Sequence, residues 1–216
     1  MNKEKKIIGI FVIIAVTLVA GFIILFQFSS PKIYGNKGGS SGEVSRYVSR
    51  DIPMTDSNGS TRRLMDLKGK VWLISHVFTR CPGQCAGVCV VLDEIRKDVN
   101  DKENLQFVSV TLDPNYDTPD HLKAFSNKHG FVTDDWWFLT GESSELNRYM
   151  MEVFSLSAQE KKESEKVSED DIFAHKPMVA LINHELKIEG WYNPFDKRSS
   201  EALREKLLFA LNEAKS

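Results

Sequence analysis

The chain has 216 residues and a formal net charge of −2, with 27% charged and 42% hydrophobic residues. That length fits one domain of ordinary size with an accessory segment, not two full domains. The near balance of acid and base lacks the basic excess of a nucleic-acid binder. Three cysteines are too few for a disulfide-stapled scaffold, and their odd number leaves one over after any single pairing.

Ile7 to Phe28 is an apolar run without charge, broken only by Gly9, Thr17, Gly21 and Gln27. It is long enough for a membrane-spanning helix, which needs roughly 20 residues. Lys3, Lys5 and Lys6 precede it, against one acid, Glu4. The positive-inside rule then keeps the N-terminus cytoplasmic and exports the rest, so residues 1–28 read as a cytoplasmic stub and single-pass anchor in the inner (cytoplasmic) membrane. The rival reading, a cleaved signal peptide, usually has an apolar core of about 7–15 residues before a small-x-small site. This core is longer and ends in Phe26-Gln27-Phe28. A mitochondrial presequence would be Arg-rich and amphipathic, which this segment is not. Residues 29–46, rich in Gly and Ser, read as a flexible linker to a folded domain over 47–216.

Within that domain, Asp56-Ser57-Asn58-Gly59 is a hairpin-turn signal that doubles as the start of a glycosylation sequon, Asn58-Gly59-Ser60; the turn is the preferred reading. Lys70 to Phe78 is nearly all apolar or aromatic, as a strand buried on both faces should be. Gln84 to Val99 carries a helical apolar stripe, and Leu105 to Leu112 is a second strand. Thr118 as N-cap and Pro119 at the first helical position start another helix, closed by Lys128-His129-Gly130. Trp136 to Leu139 is a short strand and Glu142 to Phe154 a helix. Ser157 to Asp171, dense in Glu, Lys and Ser, reads as a solvated loop or frayed helix. It leads into Ile172-Phe173-Ala174-His175. Met178–Ile182 and Lys187–Trp191 then form a hairpin turning at Asn183-His184-Glu185, before a final helix over Ser200 to Leu211. This order predicts an α/β domain of thioredoxin-like fold behind the transmembrane helix.

Cys81 and Cys85 fall in and just after the loop from the first buried strand into a helix. The helix N-terminus favours an anion there, so at least one thiol is expected to have a lowered pKa. Three residues separate the cysteines where redox pairs usually have two; the wider loop still closes into a disulfide but also lets two sulfurs approach one ion. Two thiolates with an imidazole suit copper or zinc. A structural zinc site is normally closed by four ligands, and no clear fourth is present, which favours copper. A plain Cys81–Cys85 disulfide is the bland alternative in an exported domain, although so short a loop constrains little of the unfolded chain.

Four ordered stretches carry a family resemblance: Asp66-Leu67-Lys68-Gly69-Lys70-Val71, Phe78-Thr79-Arg80-Cys81-Pro82-Gly83-Gln84-Cys85, Val110 to Pro119, and Trp137-Phe138-Leu139-Thr140-Gly141. Together they resemble the SCO/SenC family across nearly the whole exported domain. The resemblance implies a thioredoxin-like fold, an N-terminal anchor, and a copper ion held by Cys81, Cys85 and a downstream histidine, by position His175. It also implies copper delivery to the dinuclear centre of cytochrome c oxidase, in subunit II, or to another copper acceptor. The same resemblance implies thiol–disulfide chemistry as a linked or separate role. A thiol–disulfide oxidoreductase using Cys81 and Cys85 as its redox pair, and a redox or copper sensor, remain as alternatives. The oligomeric state is not set by the sequence.

Lys176-Pro177 departs from the family pattern and is similar to the proline facing the cysteines of redox-active thioredoxins, so a cis bond is expected there. Cys89 reads as a buried core side chain, with an alternative disulfide or ligand role as the sharper option. Met150, Met151 and Met178 read as core before ligands. His76 reads as a core histidine on the face of Ile74 and Phe78, and His121, His129 and His184 occupy positions that need no metal. Asp113 ends a strand at the cysteine edge. It either orients a ligand or meets a partner, or it caps the turn beside Pro114.

Overall fold

The computed structural model describes residues 47–81, 84–170 and 172–215, except for the side chains of Gln84 and Cys85. The expected anchor (1–28) and linker (29–46) lie outside the described residues. Among those that are described, no helix is long and apolar enough to cross a membrane. All of them belong to one compact unit, Glu43–Ser216.

The strands are β1 (Met54–Asp56), β2 (Thr61–Arg62), β3 (Val71–Val77), β4 (Leu105–Thr111), β5 (Trp136–Thr140), β6 (Ala158–Glu160), β7 (Phe173–His175), β8 (Val179–Ile182) and β9 (Ile188–Tyr192). The helices are α1 (Gln84–Asp98), α2 (Pro119–His129), α3 (Ser143–Phe154) and α4 (Lys197–Glu213). Seven strands form one sheet in the order β2-β1-β5-β4-β3-β8-β9. β3 and β5 run parallel to β4, while β1 pairs antiparallel with β5, β8 with β3, and β9 with β8. Every residue of β3 and of β4 is buried, the polar Ser75, His76, Gln106, Ser109 and Thr111 included, so both strands are covered on both faces.

Alternation along β3 divides the core. Val71, Leu73 and Val77 face α1, α2 and α4, packing with Leu92, Phe125 and Leu207. Trp72 and Ile74 face α3, packing with Tyr149, Val153 and Phe154. Strand order and helices on both sheet faces make this a mixed α/β fold, as the element order predicts.

Several boundaries follow from caps. Thr118 accepts a hydrogen bond from the His121 N–H at 3.3 Å, and Gly130 closes α2 at φ 75°, where a side chain would be strained. The Glu142 carboxylate caps α3 from outside, accepting from the Glu145 N–H at 2.8 Å, so the helix proper starts one residue later than expected. Asp196 accepts from the Ser199 N–H at 2.8 Å, and this cap extends α4 upstream of Ser200. Asp56 accepts from the backbone N–H groups of Asn58 and Ser60, each at 2.9 Å, which folds the expected β1–β2 turn.

Two expectations are corrected. There is no cis peptide bond among the described residues, so Lys176–Pro177 is trans. Met178 N–H donates to the Lys176 carbonyl at 2.8 Å, so the chain makes its tight turn across a trans proline. The acidic stretch after Ser157 is not all loop: Ala158–Glu160 pairs antiparallel with Phe173–His175. The polar composition is correct for this ribbon because one edge and most of its surface face water. Phe173 and Ala158 supply its few apolar contacts.

Candidate metal centre

Parallel pairing brings Val77, the last residue of β3, level with Thr111, the last residue of β4. The cysteine loop and the Asp113 turn therefore leave the same sheet edge side by side. Phe78 and Leu112 form a small buried cluster there, and Cys81, Ala158, Ile172 and Phe173 pack against it. The Phe78 and Phe173 rings meet edge to face at 5.4 Å between centres. This contact docks the β6–β7 ribbon on the cysteine loop and carries in His175, the last residue of β7. Burial of such an aromatic pair contributes about 0.5–1.5 kcal/mol beyond its area.

Each expected site residue can now be placed. Cys81 is half-buried at the end of the loop, and Cys85 lies in the first turn of α1, its side chain outside the described residues. His175 is half-buried, with Nδ1 3.4 Å from the Lys176 carbonyl oxygen. The structure thus brings the loop of Cys81 and the ribbon of His175 together. Among the described residues no three His, Cys, Asp or Glu side chains form a metal-sized group, a set that leaves out the Cys85 sulfur.

Asp113 is committed elsewhere. Its carboxylate accepts from Arg80 Nη2 at 2.6 Å, and its carbonyl accepts from the Tyr116 and Asp117 N–H groups. The Arg80 guanidinium also lies 4.0 Å from the Tyr116 ring centre and reaches Asp170 at 3.4 Å. Asp113 shapes its turn, the capping role weighed for it, and it also holds Arg80, the residue before Cys81. With that carboxylate paired to Arg80, the Cys81 sulfur and the His175 imidazole are donors of the kind that suit a soft or borderline ion.

Asp117, fully buried, was not singled out from the sequence. Its carboxylate accepts from Thr111 Oγ1 at 2.6 Å, from the Thr79 N–H at 3.3 Å, and from Thr79 Oγ1. Burial pushes its pKa up, and the neighbouring Asp113 adds to this; the threonine hydrogen bonds oppose the shift. The network ties the β3–α1 loop to the β4 turn two residues before Cys81. A second aspartate in Asp113-Pro114-Asn115-Tyr116-Asp117, matched with Thr79 of the cysteine motif, was the available signal.

His76 is buried on the Trp72 and Ile74 face, as expected, while Phe78 lies past the end of the strand in its own cluster. Its ring meets His175 edge to face, 6.5 Å between centres. Burial, with the His175 charge adding, pushes the His76 pKa down to about 3, so its imidazole is neutral at ordinary pH. Cys89 is fully buried beneath the site, 4.0 Å from Ser109 Oγ, and burial pushes its thiol up to about 12. That is the core thiol expected. Met150 is core, but Met151 is about half exposed.

A central parallel β-strand trio flanked by helices, with a cysteine loop entering a helix at the carboxyl edge, defines a thioredoxin-like domain. The SCO1/SenC family model matches residues 44–210, and the chain belongs to that family. A SCO1 protein homolog of Bacillus subtilis is 26% identical over 149 residues, 68% of this chain and 74% of its own length. BsSco, a member of the Sco family of cytochrome c oxidase assembly proteins with a disulfide switch, has TM-score 0.64 at 24% identity, over 76% of this chain and 93% of that one. Bradyrhizobium japonicum ScoI, solved with copper bound, has TM-score 0.62 at 22% identity, over 74% and 98%. These likenesses establish the shared fold.

Proposed function

We propose that this protein is a copper metallochaperone that serves cytochrome c oxidase assembly. The observation that carries the reading is the docking of the His175 ribbon on the Cys81 loop, through Phe78 and Phe173. Membership of the SCO1/SenC family and the copper-bound ScoI relative support it. Copper is the cargo. Cys81 and Cys85 would supply thiolates and His175 an imidazole, a set that holds copper while leaving a position open to an incoming ligand. Transfer then proceeds by ligand exchange: a thiolate or imidazole of the acceptor binds as one of this chain's donors leaves. Subunit II of the oxidase presents such a dinuclear copper site. The apolar run Ile7–Phe28 supports anchoring in the cytoplasmic membrane with the domain on the exported side.

The reading is tested by mixing the copper-loaded full-length protein with the copper-free dinuclear domain of subunit II. Appearance of the acceptor's visible copper–thiolate absorption is expected, and Cys81→Ser should abolish it. If the acceptor gains no copper, while its disulfide is reduced by the copper-free protein, the same cysteines serve a thiol–disulfide oxidoreductase instead.

A further inference from the structure

α2 lies beside the cysteine loop, and the two enclose a cavity of about 230 Å³ lined by neither Cys81 nor His175. Arg80 and Tyr116 form one side of it, and His121, Ala124, Lys128 and His129 the other. His121, Ala124 and Lys128 follow one another at three- and four-residue intervals, which puts them on one face of the helix. Ala124, small and exposed, leaves a hollow between the longer side chains. Among the described residues, no Asp or Glu lines it.

We propose that this groove docks an acidic surface segment of the protein that receives the copper. The proposal rests on the copper reading above and names how the partner is recognised beside the loop. Charge is the first reason. Asp113 and Asp170 offset Arg80, but Lys128 is exposed and has no acidic partner among the described residues. It is an uncompensated cation in a chain whose formal net charge is −2, and two imidazoles flank it. A carboxylate brought alongside gains that attraction without displacing an existing pair.

Size, order and place point the same way. Pockets for cofactors and other small molecules usually measure about 300–1,000 Å³; this one is smaller and suits one or two side chains. A nucleic acid would call for the basic excess that the chain lacks. One wall is already ordered: the Tyr116 ring stacks on His121, 4.5 Å between centres, and the Arg80 guanidinium lies 4.0 Å from the same ring. Asp113 fixes that guanidinium at 2.6 Å. A surface formed in advance loses little side-chain freedom on binding. Arg80 immediately precedes Cys81, so a segment seated here sets the partner's own donors at the cysteine loop.

The test maps the contact and then reads its effect. The ¹⁵N-labelled full-length protein is mixed with the copper-free dinuclear domain of subunit II, and its amide signals are followed by nuclear magnetic resonance. Shifts clustered at Arg80, Tyr116 and the groove face of α2 are expected, and their absence overturns the proposal. Copper transfer to the same domain should slow about five- to tenfold in Lys128→Glu at low salt. The difference should vanish near 1 M salt, where charges act over only about 3 Å. Lys123→Glu makes the same charge change on the opposite side of α2 and should transfer copper like the unaltered protein. Equal slowing in the two variants, or none in Lys128→Glu, overturns the proposal, as does a weakened Cu(I) affinity in Lys128→Glu. If inorganic phosphate alone shifts the α2 signals and the acceptor shifts none, the groove takes a small anion and the proposal fails. If the acceptor shifts them but gains no copper, the docking stands and the copper reading falls.

Discussion

Asp117 offers a quantitative test of how the fold holds the cysteine loop. In Asp117→Ala the hydroxyls of Thr111 and Thr79 can turn toward other acceptors, but the Thr79 N–H is fixed by the backbone and loses its partner. A hydrogen bond to a charged group contributes about 1.5–3 kcal/mol, and an unsatisfied buried group costs about 1–3 kcal/mol. Relief of the carboxylate's burial, which raises its pKa, offsets part of this. The net expectation is a loss of about 2–4 kcal/mol, which for a domain of this size lowers Tm by roughly 5–12 °C. Asp117→Asn keeps one acceptor oxygen and should lose about half as much. Because Thr79 stands two residues before Cys81, both variants should also bind copper about tenfold or more weakly, the scale seen for groups that orient metal ligands. Differential scanning calorimetry of the copper-free protein and a competitive copper titration measure the two effects. If Asp117→Ala melts within about 1 °C of the unaltered protein and binds copper as tightly, the loop is not held this way.

The remaining predictions concern the neighbours. Since burial holds His76 neutral in the folded protein, its contribution to stability is present above its ordinary value of 6.5 and is lost as pH falls toward 3. Melting of the copper-free protein should therefore weaken across that window by roughly 3–5 kcal/mol more than in His76→Phe; parallel pH profiles would refute this. A double-mutant cycle on Arg80 and Asp113 should give a coupling of about 1–2 kcal/mol, because the pair is half sheltered and short. The same cycle on Arg80 and Asp170, an exposed pair at 3.4 Å, should give about 0–0.5 kcal/mol. Cys89, with its thiol raised by burial, should escape alkylation in the native protein while Cys81 is modified, as read by peptide mass spectrometry.

The parts of the fold legible in the sequence are those where one residue decides the local structure. Thr118-Pro119 and Gly130 mark α2 because a cap, a fixed φ and a left-handed φ each demand a particular residue type. The nearly unbroken apolar run of β3 announces a strand covered on both faces. The β6–β7 ribbon was not legible, because a strand pair lying mostly in water needs no apolar alternation; its half-buried residues are Ala158, Phe173 and His175. Lys176-Pro177 was misread because an X–Pro pair allows both isomers, and the trans form here closes a local turn in which the Met178 N–H donates to the Lys176 carbonyl. The cysteine loop and the Asp113 turn leave one sheet edge, as the order of strands and helices implied, but which partners Arg80, Asp117 and His76 would find depended on strands brought together from far apart in the chain.

The central claim is that the Cys81 loop and the His175 ribbon make one copper site. Its most direct test is an anaerobic titration of the reduced full-length protein with Cu(I) against a chromophoric competitor. Binding of one equivalent is expected, lost in both Cys81→Ser and His175→Ala. Absence of binding by the unaltered protein, alongside a disulfide reductase activity that Cys81→Ser abolishes, would contradict it.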